Sequence, residues 1–161
     1  MKKYETKNIR NVCLVGHGGS GKTSVGEAML FDMGTTTRLG SVLDETSTFD
    51  YEPEEIKRQG SISTAFAVGD WRKKKISLVD TPGDSNFFVD ARNSLAVGDI
   101  AAVVVSAVDG VQVMTEKMWE LAEELGIPRV VIINKLDRER ASFSKALDES
   151  KEVLSKRIAP F

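Results

Sequence analysis

A chain of 161 residues, 41% hydrophobic and 29% charged, is long enough for one domain with a real core and has the balance of a soluble globular protein. No apolar run approaches the roughly 20 residues of a membrane-spanning helix, and the opening Met1-Lys2-Lys3-Tyr4-Glu5 has no apolar signal segment. A net charge of −2 gives no global indication of DNA or other nucleic-acid binding, and a single cysteine, Cys13, leaves no intramolecular disulfide to form, which points to a reducing cytoplasm.

Residues 1–8 are polar and read as a loose lead-in. Residues 9–15 form the first strand, with Asn11-Val12-Cys13-Leu14-Val15 buried and Cys13 acting as a small hydrophobe. Gly16-His17-Gly18-Gly19-Ser20-Gly21-Lys22-Thr23 follows and fits G-x-x-x-x-G-K-[ST], the phosphate-binding P-loop. Its glycines let the backbone wrap an anion with the N–H groups inward. Lys22 is placed to reach the β- and γ-phosphates, and the Thr23 hydroxyl to ligate Mg²⁺. A helix over 22–33, carrying Ser24 in its first turn and ended by Gly34, adds the positive end of its dipole. Strand, loop and helix together are the context that makes the motif specific.

Residues 35–60 show no sustained period, and an irregular loop of roughly 25 residues in a compact domain is unusual unless it is functional or disordered. Residues 61–68 alternate, with Ile62, Thr64, Phe66 and Val68 on one face and Ser61, Ser63, Ala65 and Ala67 on the other, as in a strand with one face packed. A turn over 69–75 and a strand over 76–80 complete an antiparallel hairpin at a sheet edge. Asp80-Thr81-Pro82-Gly83 then ends a strand in an acidic residue, where a Walker-B aspartate holds Mg²⁺, and Gly83 brings a backbone N–H to a γ-phosphate. A helix over 86–97 leads to an apolar run at 100–108, expected to be a parallel strand buried on both faces. Met114, Met118, Leu121, Ala122 and Leu125 recur at helical spacing, with Gly126 and Pro128 as stops. A further buried strand covers 129–134, and Phe143, Ala146, Leu147, Ser150, Val153 and Leu154 mark a last amphipathic helix.

Alternating strands and helices imply an α/β fold: a mostly parallel sheet with one antiparallel edge strand and helices on both faces, the P-loop NTPase arrangement. Ligands of such sheets sit at the carboxyl ends of the strands, where the P-loop, Asp80 and Asn134 all fall. Asn134-Lys135-Leu136-Asp137 is the most discriminating stretch. A carboxylate there that accepts from the N1 and N2 donors of guanine rejects adenine, which lacks that donor pair.

G-x-x-x-x-G-K-T, D-T-P-G and N-K-x-D in this order resemble the GTP-binding domain of a translational GTPase, elongation factor G and its paralogues above all. The likeness runs from about residue 10 to the end and includes Gly16-His17 and Ala107-Val108-Asp109-Gly110-Val111. It implies GTP or GDP, Mg²⁺, a ribosome partner, a monomer, a first switch over 35–63 and a second over 80–93. It places Gly16, His17, Gly18, Gly19, Ser20, Gly21, Lys22, Thr23, Ser24 and Gly83 on the phosphates. Asn134, Lys135 and Asp137 fall on the base, and Thr23, Ser61 and Asp80 around the metal. Departures mark a divergent paralogue. Gly18 and Gly19 stand where the family has an apolar residue and an aspartate, Gly60 and Ser61 where it has isoleucine and the Mg²⁺-ligating threonine. Asp84 occupies the position of the histidine that orients the attacking water, and is the residue to examine for catalysis. The family's last strand and its base-bracing Ser-Ala loop find no match, so the chain reads as a GTP-binding domain, 1–161, truncated at its C-terminal end. Two other classes stay open: a GTP-gated binding module with negligible hydrolysis, and a P-loop ATPase, against which N-K-L-D argues. The basic tip Arg72-Lys73-Lys74-Lys75 reads as solvated, with a ribosomal-RNA contact as the alternative.

Overall fold

A computed structural model describes residues 3–161; Met1 and Lys2 lie outside the described residues. Strand β1 (Ile9–Val15) is followed by helix α1 (Lys22–Asp32), α2 (Pro53–Arg58), β2 (Ala65–Trp71), β3 (Lys74–Asp80), α3 (Phe88–Leu95), β4 (Ile100–Ser106), α4 (Val113–Glu124), β5 (Arg129–Asn134) and α5 (Phe143–Val153). The five strands lie in the order β2-β3-β1-β4-β5. β1 runs parallel to β3 and β4, β4 parallel to β5, and β2 antiparallel to β3. The anticipated α/β sheet with one antiparallel edge strand is the one observed.

Register brings the functional ends together. Leu14 pairs with Asp80 across β1 and β3, and Ser106 with Asn134 across β4 and β5, so the four parallel strands finish on one side of the sheet. One face carries a core of Cys13, Val15, Val79, Leu95, Val103, Met114 and Met118 under α3 and α4. The other holds a smaller cluster of Leu30, Phe49, Ala65 and Leu78 under α1. Burial pushes the Cys13 thiol up to about 12, with Asp99 adding to the effect, as suits an inert packing residue.

Several local expectations are corrected. The lead-in contains a 3-10 turn at Thr6–Asn8. The segment read as irregular contains α2 and is packed. Phe49 is buried on α1 at Gly26, where an added Cβ would stand 2.8 Å from the Phe49 ring. Burying an aromatic of this size contributes about 1.5–3 kcal/mol. The Glu27 carboxylate, fully buried on α1, accepts from the Ser47 hydroxyl at 3.0 Å, the Thr48 amide, the Thr48 hydroxyl at 3.2 Å and the Phe49 amide at 3.3 Å. Glu55 does the same one step on, accepting from the amides of Ile62 at 2.8 Å and Ser63 at 3.1 Å.

The edge strand starts later than its alternation suggests, at Ala65, and packs its small-residue face. Ala65 is buried, whereas Phe66 and Val68 are exposed. The space between β2 and α1 already holds Leu30, Phe49 and Leu78, leaving room for alanines only. The hairpin turn is Arg72-Lys73 alone, both residues left-handed at φ 48° and 67°. The helix expected over 86–97 begins as a 3-10 turn at Ser85–Phe87 and ends at Leu95. The apolar strand at 100–108 ends at Ser106. β5 is half-buried throughout, because it is the sheet's other edge. Among the described residues no helix is long and apolar enough to cross a membrane.

Candidate nucleotide-binding site

The loop joining β1 to α1 is held in shape by left-handed glycines. Gly16 has φ 136°, and a Cβ there would stand 2.6 Å from the Val104 carbonyl oxygen of β4. Gly21, the N-cap of α1, has φ 93° and lies against the Asn134 carboxamide too closely for any side chain. Lys22 is buried in the first turn of α1, and its Nζ donates to the His17 carbonyl at 2.9 Å, closing the loop. Burial holds the Lys22 ammonium below its usual range, against the opposing pull of the Asp80 carboxylate.

Gly83 docks on this loop from the end of β3. The Gly18 amide donates to the Gly83 carbonyl at 2.9 Å. A Cβ on Gly83 would stand 2.5 Å from the Gly18 nitrogen and would collide with Lys22 Nζ. Thr81, fully buried, donates to the Leu14 carbonyl at 2.8 Å and ties the same segment to β1.

Beside Lys22 lies a cluster of oxygens. Thr23 Oγ1 donates to Asp80 Oδ2 at 2.6 Å and stands 3.3 Å from Ser61 Oγ. Ser61 Oγ in turn lies 3.5 Å from Asp80 Oδ2 and 3.2 Å from Asp50 Oδ1. Asp80 Oδ1 and Asp50 Oδ2 are buried with no hydrogen-bond partner among the described residues. Burial pushes the Asp80 carboxyl up to about 7, resisted by the Thr23 hydrogen bond and the Lys22 charge. Burial also raises Asp50, against its Ser61 hydrogen bond. Two desolvated carboxylates with orphaned oxygens, next to two hydroxyls, form an oxygen-only donor set suited to a hard divalent cation that takes its remaining ligands from phosphate and water. Among the described residues no group of three or more His, Cys, Asp and Glu could bind a metal by itself.

Asp50 and Glu27 are the residues the motifs did not point to. Nothing in the period or spacing of the polar segment distinguishes them; only the fold brings Asp50 within reach of Ser61. The motif residues themselves divide. Lys22, Thr23, Ser61, Asp80 and Gly83 converge with the P-loop. Ser24 is exposed on α1. Asp84 is exposed, and its Oδ1 accepts from the Asn86 amide at 2.9 Å, capping the 3-10 turn.

A family model described as "Elongation factor Tu GTP binding domain" matches residues 7–160. The chain belongs to the elongation factor Tu GTP-binding domain family. It is 39% identical over 149 residues to a mitochondrial ribosome-releasing factor 2 of Debaryomyces hansenii, covering 92% of this chain and 17% of that protein. It is 36% identical over 154 residues to an elongation factor G-like protein of Thermotoga maritima, covering 96% and 22%. With an elongation factor G of Granulibacter bethesdensis it shares 38% over 154 residues, again covering 96% and 22%. A crystal structure from Thermus thermophilus superposes with a TM-score of 0.86 at 41% identity, over 91% of this chain and 22% of that one. The chain thus spans about a fifth of the length of the relatives it matches.

In this GTP-binding domain the N-K-x-D stretch leaves β5 beside the P-loop. The Asn134 carboxamide donates to the carbonyls of Ser20 at 3.1 Å and Gly21 at 3.4 Å, so it braces the P-loop from behind. Lys135 is left-handed at φ 62° and turns the chain out of β5. Asp137 is exposed, with Arg138 Nε 3.7 Å from its carboxylate. On the far side of the loop His17 Nδ1 and Ser20 Oγ are buried without partners, beside a cavity of about 310 Å³ lined also by Ser106, Asp109 and Gln112.

Proposed function

We propose that this domain binds GTP and GDP with Mg²⁺ and hydrolyses GTP slowly, as the nucleotide-dependent part of a ribosome-directed GTPase acting as a monomer in the cytoplasm. The amides of the P-loop and the first turn of α1, with Lys22, receive the phosphates. Thr23, Ser61 and Asp80 hold the ion, with Asp50 behind Ser61. Mg²⁺, when bound, neutralises charge on the β- and γ-oxygens. Asp137 selects guanine, while Asn134 acts on the base indirectly by fixing the loop that carries the phosphates. Residues 35–63 and 80–93 are the segments whose arrangement reports the γ-phosphate: the first brings Ser61, the second Asp80 and Gly83.

The observation that carries this reading is the cluster of Thr23, Ser61 and Asp80 beside buried Lys22, with two carboxylate oxygens lacking a partner. The test is binding of a fluorescent GDP analogue with Mg²⁺ and with EDTA. Binding should weaken strongly without Mg²⁺ and disappear in Lys22→Ala. Metal-independent binding would refute the assignment of the oxygen cluster.

A second reading, a GTP-gated module with negligible hydrolysis, is favoured by one observation: Asp84 is occupied in capping the turn at Ser85–Phe87. It shares the binding chemistry and differs only in turnover.

A further inference from the structure

The β2–β3 hairpin carries a feature that nucleotide binding leaves unused. Its tip is Trp71-Arg72-Lys73-Lys74-Lys75, four consecutive cations on a chain of net charge −2. Trp71 is 45% exposed, Arg72, Lys73 and Lys74 are exposed, and none of the four cations is in an ion pair among the described residues. Lys75 is the least available: it is half-buried and faces Asp70 across the ladder, which also accepts from the Tyr4 hydroxyl. Trp71 faces Lys74 across the ladder, and the Arg72 guanidinium lies 5.5 Å from the Trp71 ring centroid. The exposed indole thus lies beside Arg72 and opposite Lys74, with Lys73 next in the turn, on a short projection.

The turn itself is built against conformational preference. A two-residue hairpin turn with both residues at positive φ is a place for Asn-Gly, because long side chains are strained there. Arg72 and Lys73 occupy it at φ 48° and 67°. Turn stability is thus given up at the two positions that project charge furthest.

We propose that this hairpin tip is an RNA-docking element that takes an unpaired segment: Arg72, Lys73 and Lys74 on backbone phosphates, and a base stacked on Trp71. An exposed indole flanked by cations fits a splayed base better than a duplex, whose bases are stacked on one another. The choice of RNA over another polyanion rests on the ribosome-directed reading above. The site is separate from the nucleotide: about six residues of β3 at about 3.3 Å each put the tip about 20 Å from Asp80.

The test is fluorescence anisotropy of a labelled oligouridylate of about 12 nucleotides, titrated with the chain at several salt concentrations. Three phosphate contacts should give a log–log salt slope of about −2, and the double variant Arg72→Asn/Lys73→Gly should reduce its magnitude by about 1.4. That variant should bind on the order of tenfold more weakly while melting at a higher temperature, since it improves the turn. Trp71→Ala should weaken the single strand by on the order of tenfold and leave binding to duplex RNA unchanged. No binding by the wild type, equal binding by the double variant, or equally effective competition by polyglutamate would each overturn the proposal. GDP binding in the same samples separates the two claims. Loss of oligouridylate binding with GDP binding intact overturns the hairpin assignment alone; the reverse leaves the hairpin assigned and overturns the nucleotide reading.

Discussion

Glu27 is the single side chain on which the packing of the long segment before β2 most depends. It is fully buried on α1, and the amides of Thr48 and Phe49 and the hydroxyls of Ser47 and Thr48 all donate to it. Glu27→Ala removes the acceptor of the Thr48 amide and leaves the buried Phe49 amide only the Ser47 hydroxyl, 3.2 Å away, at about 1–3 kcal/mol together, and opens space beneath the segment. With the opened space included the cost is about 2–4 kcal/mol, a large share of the roughly 5–15 kcal/mol that holds a typical domain together. Local opening is the cheaper outcome, because Phe49 can leave its site on Gly26 without breaking the sheet. The amides of Thr48, Phe49 and the α2 turn should therefore exchange with solvent much faster, while those of β1, β3 and β4 stay protected. Mg²⁺-dependent GTP affinity should fall with them, since Asp50 and Ser61 are carried by the same segment. Glu27→Gln keeps an acceptor but loses the charge, and should show the same pattern at about 1–2 kcal/mol. Hydrogen exchange read by mass spectrometry checks both variants. Unchanged exchange over residues 47–50 in Glu27→Ala would refute the reasoning, as would uniform loss of protection in the sheet with the segment spared.

Three other outcomes are expected. Asp80 holds a proton more tightly folded, at about 7, than its ordinary value of 3.8, so this contribution to stability is full below about pH 4 and is lost as the pH rises through about 7. Urea titrations without Mg²⁺ should show that decline, and Asp80→Asn should remove it. Cys13 should resist alkylation at about pH 8 until the chain is unfolded, its thiol standing near 12. Single-turnover GTP hydrolysis should be very slow, and Asp84→Ala should leave the rate where it is, costing only the cap, about 0.5–2 kcal/mol of local stability. If Asp84→Ala abolishes a readily measured rate, Asp84 is catalytic and the capping role is secondary.

What could be read from residues alone follows a physical division. β1 and β4 were legible because Val12–Val15 and Ala101–Val105 are apolar runs that only a buried strand accommodates. The phosphate loop was legible because its glycines are forced by positive φ and close approach, which leave a fixed spacing in the chain. Asp50 was not, because it is held by a contact to Ser61 that no local period encodes, and α2 is too short for a period and offers only local cues, Pro53 and Glu55 in its first turn and Lys57-Arg58 in its last. The face of β2 was unclear for a related reason: alternation shows two faces, but the volume left beside Phe49 decides that the alanines go inside. The hairpin turn is legible but too long, over 69–75, because Gly69-Asp70 carries a turn signature and Arg72-Lys73, the actual turn, carries none. The Asn134 carboxamide donates to the P-loop carbonyls of Ser20 and Gly21, a contact that its motif does not spell out.

The central claim is that Asp137 reads guanine above a P-loop that holds the phosphates. Competition against a fluorescent GDP analogue, run on the wild type and on Asp137→Asn, tests it most directly. A carboxylate that accepts from N1 and N2 of guanine becomes, as a carboxamide, a partner for the inverted pattern of xanthine. The wild type should be displaced by GDP and GTP and left untouched by ATP and xanthosine diphosphate. Asp137→Asn should lose GDP and gain xanthosine diphosphate. Displacement of the analogue by ATP as readily as by GTP in the wild type, or an Asp137→Asn variant with unaltered preference, would contradict the account.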